Sequence, residues 1–255
     1  MMTGVIAGLL MSTSALCAAE LTFDLSDYRY REEDDFGNFQ MHDEAKPVFA
    51  SLGIRDWDRP ETQGGFKFNY TGEVTAGRTH YQGRNAGVQR KKYYKARMEG
   101  LLSYRVNDLV SPFVGLGFRF VHDDSGGHPS ANGGIAYDRQ NYLLYLPFGF
   151  QIDPVENLSI KAQGNAVLRG WQISYLKDTN PNYQTAHNDQ DKGWGFDVTA
   201  NYKVTESWSM YSFYRYWSID RSDRDCGTVA TVGYVCWWEP DNTTKELGVG
   251  IAYRF

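Results

Sequence analysis

The chain has 255 residues, of which 42% are hydrophobic, and its formal charge is −5. This length allows one domain or two. No basic stripe dominates the sequence, which argues against nucleic acid as a partner. No segment reaches the roughly 18 to 20 consecutive apolar residues that a membrane-spanning helix needs. The 18 Tyr and 26 Gly residues favour strands and turns over helices.

Residues 1–19 form a predicted secretory signal peptide. The stretch from Met1 to Ala19 has no charged residue, an apolar centre (VIAGLLM) and small residues (CAA) directly before Glu20. Small residues of this kind precede signal-peptidase sites, so we expect cleavage after Ala19 and a mature chain of residues 20–255. No Lys or Arg precedes the apolar centre, and a buried N-terminal helix is the alternative.

Most of the mature chain alternates between apolar and polar residues, with the period of two that is typical of a β-strand. In the last such segment, Leu247, Val249, Ile251, Tyr253 and Phe255 share one face. Ten segments of this kind begin near Leu21, Pro47, Phe66, Tyr93, Val110, Asn141, Leu158, Gly193, Trp208 and Lys245. The segment from Trp208 has aromatic residues on both faces, and Arg215 indicates that Tyr211, Phe213 and Trp217 point inward with it.

The connections between these segments alternate in length. VND, DPVEN and TES are short, whereas EDDFGNFQMHDEAK, QGRNAGVQRK, HDDSGGHPSANGGIAYD, KDTNPNYQTAHNDQDK and DRSDRDCGTVATVGYVCWWEPDNTT are long and polar. Short periplasmic turns and long extracellular loops are typical of an up-and-down membrane barrel. The connection RDWDRPETQGG, between the second and third segments, is longer than this rule predicts.

Alternation alone also fits a soluble β-sandwich or a lipocalin-type barrel, whose apolar face points inward. Three features favour lipid as the contact of the apolar face: the signal peptide, the terminal Phe255, and aromatic residues near the segment ends. These aromatic residues are Tyr104, Tyr142, Trp194, Tyr202 and Trp208. We therefore predict an all-β transmembrane antiparallel up-and-down barrel of about ten strands in the bacterial outer membrane, with eight or twelve strands as alternatives.

Several motifs resemble those of a largely uncharacterised family of single-chain Gram-negative outer-membrane β-barrel proteins. They are LRGWQ from Leu168, RYWSID from Arg215 and EPDNTTKELGVGIAYRF from Glu239. The end of the last segment, with Ile251, Tyr253 and Phe255 on one face, resembles the signal by which the barrel assembly machinery recognises its clients. The resemblance implies outer-membrane lipid and the assembly machinery as partners, and it implies no assigned activity. The polar loops add lipopolysaccharide and a surface ligand as expected partners.

The polar face of the predicted strands carries charges that would line the barrel lumen. They are Lys67, Glu73, Lys95, Arg97, Glu99, Arg119, Lys161, Arg169, Asp197, Arg215, Glu246 and Arg254. A lumen of about ten strands is narrow, and we expect these charges to pair and fill it, giving a structural or surface-interaction role. A small porin-like channel that prefers anions is the second interpretation, because the bases slightly outnumber the acids.

Two polar segments raise the question of catalysis. HDDSGGH contains His122, Asp123, Asp124 and His128, and HNDQD contains His187, Asp189 and Asp191. Such groups can activate water in surface hydrolases of the omptin type, and His122 with Ser125 is the combination that an acyl hydrolase uses. The omptin motifs do not match residue by residue, and acidic loops also bind cations weakly. We therefore predict no catalytic residue, with an omptin-like hydrolase as the third interpretation.

Cys226 and Cys236 are the two cysteines of the predicted mature chain, separated by GTVATVGYV. An even number of cysteines in an exported protein predicts one disulfide. Two isolated cysteines make a poor metal site, and we expect neither a metal nor a cofactor. The neighbouring Trp237 and Trp238 fit either the outer aromatic belt or an anchor for a surface partner.

Overall fold

A computed structural model describes residues 19–255 except residues 35, 85, 86, 127, 130, 134, 230 and 231. The predicted signal peptide lies outside the described residues, apart from Ala19, and stays a prediction. No helix in the described part of the chain is long and apolar enough to cross a membrane.

The described chain is built from fourteen β-strands and a one-turn 3-10 helix at Leu176–Asp178. The strands are β1 (Glu20–Glu33), β2 (Phe39–Ala45), β3 (Phe49–Asp56), β4 (Phe66–Gly83), β5 (Gly87–Tyr104), β6 (Val110–Asp124), β7 (Arg139–Val155), β8 (Leu158–Ser174), β9 (Ala186–Asp189), β10 (Gly193–Lys203), β11 (Trp208–Ile219), β12 (Asp225–Val229), β13 (Gly233–Trp237) and β14 (Asp241–Arg254).

Twelve of these strands close into an antiparallel barrel with ten positions around its ring. Strands β2 and β3 together occupy one position, because each pairs with both β1 and β4 at a different height. Strands β9 and β10 share another position beside β8. Strand β14 pairs with β11 on one side and with β1 on the other, which closes the ring. The predicted ten-strand barrel is confirmed.

The remaining two strands, β12 and β13, form a separate hairpin at the long-loop end of the barrel. Cys226 faces Cys236 in the register of this hairpin, and the two form a disulfide. The predicted disulfide is therefore present, and it joins the two strands of a surface hairpin. Trp237 is the last residue of β13, so it belongs to this hairpin and not to the barrel wall.

The barrel wall rises well beyond the thickness of a bilayer. Strands β4 and β5 have 18 residues each, and a strand rises about 3.3 Å per residue. Even with a tilt of about 40° they are longer than the roughly 25 Å apolar band of an outer-membrane barrel. The segments EDDFGNFQMHDEAK and QGRNAGVQRK, which we predicted as long loops, are therefore largely strand, because the wall continues past the membrane on this side.

The outer face of the wall is an apolar belt. Alternate residues of each barrel position point outward, and the large exposed ones include Leu21, Phe23, Leu25, Leu52, Ile54, Phe66, Phe68, Val74, Met98, Leu102, Val114, Leu116, Phe148, Phe150, Phe196, Val198, Met210, Leu247, Val249 and Ile251. Charged side chains on this face lie toward the long-loop end. They include Asp27 and Arg29 on β1, Lys245 opposite Arg29, Arg78 opposite Lys92, and Arg169. This change of surface marks the outer edge of the membrane-spanning region.

Aromatic residues lie at both edges of the belt. At the short-turn end, Phe66 packs against Tyr104 and Trp208 against Tyr253, with ring centroids 4.9 Å apart in each pair. At the long-loop end, Tyr142 stacks on Trp171 at 5.1 Å. Tyr and Trp side chains at both edges are typical of the aromatic girdles that face lipid headgroups.

Candidate functional site: a lumen filled with ion pairs

The lumen is the candidate functional site, because it gathers the charged side chains that the outer face excludes. Inward side chains alternate with lipid-facing ones along every strand, so every second residue reaches the interior. Polar groups in such an interior must find partners, because water is scarce and an unpaired charge is costly. The arrangement of these partners defines what the lumen can do.

The centre of the lumen is organised around Arg97 on β5. Its Nη2 donates to Glu99 Oε1 at 2.6 Å and also to Asp197 on β10. Its Nε donates to the hydroxyl of Tyr145 at 3.0 Å, and that hydroxyl donates to Glu99 at 2.9 Å. The amide of Gln163 donates to Glu99 Oε1 at 2.6 Å. A single connected network therefore ties β5, β7, β8 and β10 together.

A second group joins other walls of the barrel at a neighbouring level. Arg215 on β11 donates to both carboxylate oxygens of Glu73 on β4, at 2.7 and 2.8 Å. Lys95 Nζ donates to Glu246 Oε1 on β14 at 2.6 Å. These pairs and the Arg97–Asp197 pair each join positions that are four apart around the ring of ten. The side chains thus bridge the lumen from wall to wall.

At the short-turn end the lumen is closed by a third group of charges. Arg55 Nε donates to Glu20 Oε2 at 2.8 Å, and Lys67 Nζ donates to Asp56 at 2.7 Å. The guanidinium of Arg55 also lies over the ring of Trp57, 4.2 Å from its centroid. Trp57 opens the connection between β3 and β4 that was longer than the barrel rule predicts, so this segment supplies a side chain that covers the lumen.

At the long-loop end, two cations hold several carboxylates. Lys91 lies 2.6 Å from Asp123 and 3.0 Å from Asp43. Arg139 contacts Asp123 at 3.2 Å, Glu239 at 3.3 Å and also Glu32. Burial raises the pKa of the Glu239 carboxyl, and Arg139 opposes this effect. Below this group Tyr28, Phe49 and Tyr93 are fully or almost fully buried in one apolar cluster.

The cavities that the described residues line between these groups are small. The cavities lined by lumen residues measure about 40, 30 and 20 Å³. A cavity needs at least about 10 to 15 Å³ to hold a water molecule, so each has room for one or a few waters. A larger space of about 350 Å³ lies at the short-turn end, and Trp57 borders both this space and the 40 Å³ cavity.

The predicted lumen residues face the interior, with one exception. Glu73, Lys95, Arg97, Glu99, Arg119, Lys161, Asp197, Arg215 and Glu246 lie inside the wall, and Lys67 and Arg254 lie at its short-turn mouth. Arg169 departs from the prediction. It is 52% exposed and binds Asp189 and Asp191 at the rim. The register of β7 and β8 shifts at Leu168, and this bulge turns Arg169 to the outside.

Sequence reasoning did not assign further buried charges, at both ends of the wall, to the interior. They include Glu20, Asp24, Glu32, Asp43, Arg55, Asp56, Lys91, Asp123, Arg139 and Glu239. The alternation could have revealed some of them, since Glu20 and Asp24 occupy the parity opposite Leu21, Phe23 and Leu25. Glu239 precedes β14 and carries no such pattern, because it reaches the interior from a loop.

The two candidate catalytic segments do not come together. Asp123 points inward to Lys91, whereas His122 packs 6.0 Å from the ring of Tyr94 on the neighbouring strand. Asp189 and Asp191 bind Arg169, and Ser125 Oγ donates to the carbonyl of Tyr137 at 2.8 Å. In the described part of the chain, no histidine pairs with a carboxylate, and no cluster of His, Cys, Asp and Glu has the arrangement of a metal site.

The predicted assembly-signal residues lie on the lipid face of β14. Ile251, Tyr253 and Phe255 are 43%, 39% and 56% exposed, and their neighbours Ala252 and Arg254 point inward. This geometry leaves the three side chains accessible from the bilayer, as a recognition signal requires. Their recognition by the assembly machinery stays a prediction.

Comparison with solved structures places this architecture among known proteins. The outer membrane protease OmpT from Escherichia coli superimposes with a TM-score of 0.51 and 10% identity, over 93% of this chain and 96% of that chain. The chain has the fold of an outer-membrane β-barrel protein. Neisserial surface protein A and the attachment invasion locus protein Ail of Yersinia pestis also match. Each has a TM-score of 0.39, with 12% and 10% identity, over 93% of this chain and 97% of theirs.

No protein-family model and no curated protein sequence matches the chain. The similarity to known proteins is therefore one of fold. The predicted Gram-negative outer-membrane barrel is confirmed by this fold, together with the closed ring and the apolar belt.

Proposed function

We propose that this outer-membrane barrel is a non-conducting, rigid scaffold that presents its extracellular rim to partners. One observation carries the proposal: paired charges bridge the lumen from wall to wall at several levels. The cavities lined by the pairs Arg215–Glu73, Lys95–Glu246 and Arg97–Asp197 measure about 40 and 20 Å³. Cavities of this size hold one or a few waters and are too small for hydrated solutes.

A conductance measurement tests the proposal. The purified protein is inserted into a planar lipid bilayer, and we expect no current steps at high protein load. A variant in which Glu73, Arg215, Arg97 and Asp197 are all replaced by Ser removes two bridging pairs without changing the net charge. Water replaces the two central pairs in this variant, while the charged groups at both ends of the lumen remain. We therefore expect it to give small current steps that the parent does not give.

Arg169 and Asp189 provide the matched control for this measurement. They also form an ion pair, at 2.7 Å, but at the exposed rim. Replacement of both residues by Ser should give no current steps. Stable current steps from the unmodified protein would refute the proposal and favour the small anion-preferring channel.

The rim offers a specific surface for a protein partner on another cell. The β12–β13 hairpin is held by its disulfide and carries exposed apolar residues at its end, with Tyr234 74% and Val232 58% exposed. Asn188 on β9 donates to the carbonyl of Trp237 at 3.0 Å, and Tyr183 packs against the Trp237 ring. The hairpin is thus fixed to the barrel while Val232 and Tyr234 stay exposed. Exposed aromatic residues on a rigid loop are favourable contacts at interfaces.

Binding of protein-containing vesicles to cultured animal cells tests the surface role. We expect binding that falls at least about tenfold for Tyr234→Ser, which corresponds to about 1.4 kcal/mol. Thr228→Ser is the matched control, because Thr228 faces Tyr234 in the register of the same hairpin. Equal binding by vesicles without the protein would contradict this role.

Hydrolysis receives less support. OmpT is a protease, but the likeness to it is one of fold. The two His–Asp segments of this chain begin on different strands, β6 and β9, and their described residues do not contact each other. Their carboxylates are occupied by Arg and Lys. A catalytic His needs a neighbouring group that holds its proton and orientation, and the described histidines have no carboxylate in that position.

A further inference from the structure

Arg119 on β6 differs from the other buried cations of the lumen. It is only 9% exposed. The buried cations Arg55, Lys91, Lys95, Arg97, Arg139, Lys161 and Arg215 each lie within 4.0 Å of at least one carboxylate. Within the described part of the chain, Arg119 has no hydrogen bond and no ion pair. Its contact is with the ring of Trp217, whose centroid lies 5.2 Å from the guanidinium.

Burial of the Arg119 guanidinium costs free energy when no counter-charge is nearby. A guanidinium carries five N–H donors and stays charged under all ordinary conditions. Burial of a charge costs free energy unless a partner is present. The residue that faces Arg119 in the register of β5 is Arg97, which carries the same charge. Like charges directly opposite each other on neighbouring strands are destabilising, so the site as built favours a bound anion.

Arg119 borders two small cavities. The smaller one, of about 20 Å³, is also lined by Lys95, Arg97 and Arg215, and by Glu73 and Glu246. Both carboxylates are already engaged, Glu73 by Arg215 and Glu246 by Lys95. Arg97 is paired with Glu99 and Asp197, so Arg119 carries the uncompensated positive charge of this lining. The larger cavity, of about 30 Å³, has the carboxylate of Asp123 in its lining and suits an anion less well.

We propose that Arg119 forms a binding site for a small monovalent anion such as chloride inside the barrel. The anion accepts hydrogen bonds from the guanidinium in the smaller cavity and offsets the repulsion between Arg119 and Arg97. The size of the cavity restricts the ligand to a monatomic or similarly small species, since a single water requires about 10 to 15 Å³. The face of Trp217 limits the cavity on one side and holds the guanidinium in place.

The experiment compares anions at equal ionic strength. The intact folded protein is heated in detergent in about 0.15 M sodium chloride, sodium bromide or sodium gluconate, and the unfolding midpoint is read from its mobility shift on a gel. A ligand that binds only the folded state raises the midpoint. We expect a midpoint about 2 to 4 °C higher in either halide than in gluconate, since gluconate is too large for the cavity. Crystals soaked in bromide should show an anomalous peak beside Arg119.

Two variants assign the effect to this site. Arg119→Gln should abolish both the halide shift and the anomalous peak, whereas Arg169→Gln at the rim should keep both. If Arg119→Gln does not fold, Arg119→Lys keeps the charge and should keep a reduced halide shift. Equal midpoints of the unmodified protein in all three salts would overturn the proposal, and so would a halide shift that persists in Arg119→Gln. Neither result depends on whether the barrel conducts.

Discussion

Arg215 and Glu73 join opposite walls of the barrel through two parallel hydrogen bonds, 2.7 and 2.8 Å long, although 142 residues separate them in the chain. This paired geometry holds each side chain in one orientation. The two groups come from β11 and β4, which do not touch each other in the sheet. The pair therefore fixes the cross-section of the barrel in a way that backbone pairing between neighbouring strands does not.

The energetics of this pair give the first prediction. Removal of one partner from a buried pair leaves an uncompensated charge, and Glu73→Leu should destabilise the barrel by about 3 to 5 kcal/mol. Replacement of both partners by apolar residues, as in Glu73→Leu with Arg215→Met, should recover most of that loss. The measurement is urea unfolding in lipid vesicles, followed by tryptophan fluorescence.

Arg169→Met serves as its control, because the Arg169–Asp189 pair is exposed at the rim. An exposed ion pair contributes about 0 to 1 kcal/mol, and this variant should unfold at nearly the same urea concentration as the parent protein. A double variant as unstable as Glu73→Leu alone would show that the pair stabilises the fold in net terms.

The second prediction concerns the apolar belt. Val249 lies on the outer face of β14 and is 63% exposed. Arg at a lipid-facing position near the bilayer centre costs about 2 to 4 kcal/mol, so Val249→Arg should slow or prevent folding into lipid vesicles. Val232→Arg in the surface hairpin, where Val232 is 58% exposed, should fold as the parent does. Equal folding of both variants would place Val249 outside the membrane.

The bulge in β8 gives a third prediction, because it separates Arg169 from the lumen charges. Arg169→Cys should react with a membrane-impermeant maleimide in intact proteoliposomes, since the position is exposed at the rim. Arg97→Cys should stay unlabelled, since that position is 9% exposed inside the barrel. Cys226 and Cys236 do not react with the maleimide, because they are disulfide-bonded to each other. Labelling of both variants at one rate would mean that the lumen is open to reagents.

The sequence was sufficient to predict the strands of the barrel wall, because lipid requires apolar side chains at every second residue. The segments near Phe66, Val110 and Gly193 begin within a residue of strands β4, β6 and β10. The alternation predicts the wrong face for the side chains of β8 after Leu168. One extra residue at Leu168 reverses the face of every side chain that follows it. The pattern also could not show how the charges pair, because partners such as Arg97 and Asp197 meet only after the ring has closed.

Glu239 leads to the last prediction, which concerns pH. This loop carboxyl is buried beside Arg139 and accepts a hydrogen bond from Ser174 Oγ at 2.9 Å. Burial raises its pKa in the folded protein, so the folded state binds the proton more tightly than the unfolded chain does. Its contribution to stability is therefore greatest at low pH and is lost as pH rises through the folded-state pKa.

Glu239→Gln should remove this pH dependence. Gln keeps an oxygen that accepts from Ser174, and Arg139 keeps Glu32 and Asp123 as partners. We expect the variant to be at least as stable as the parent at about pH 7 and to show a smaller change in thermal midpoint between about pH 4 and pH 7. Glu206→Gln, in an exposed turn, is the control and should follow the parent. A variant less stable than the parent at neutral pH would instead show that the Arg139–Glu239 ion pair outweighs the cost of burying the carboxylate.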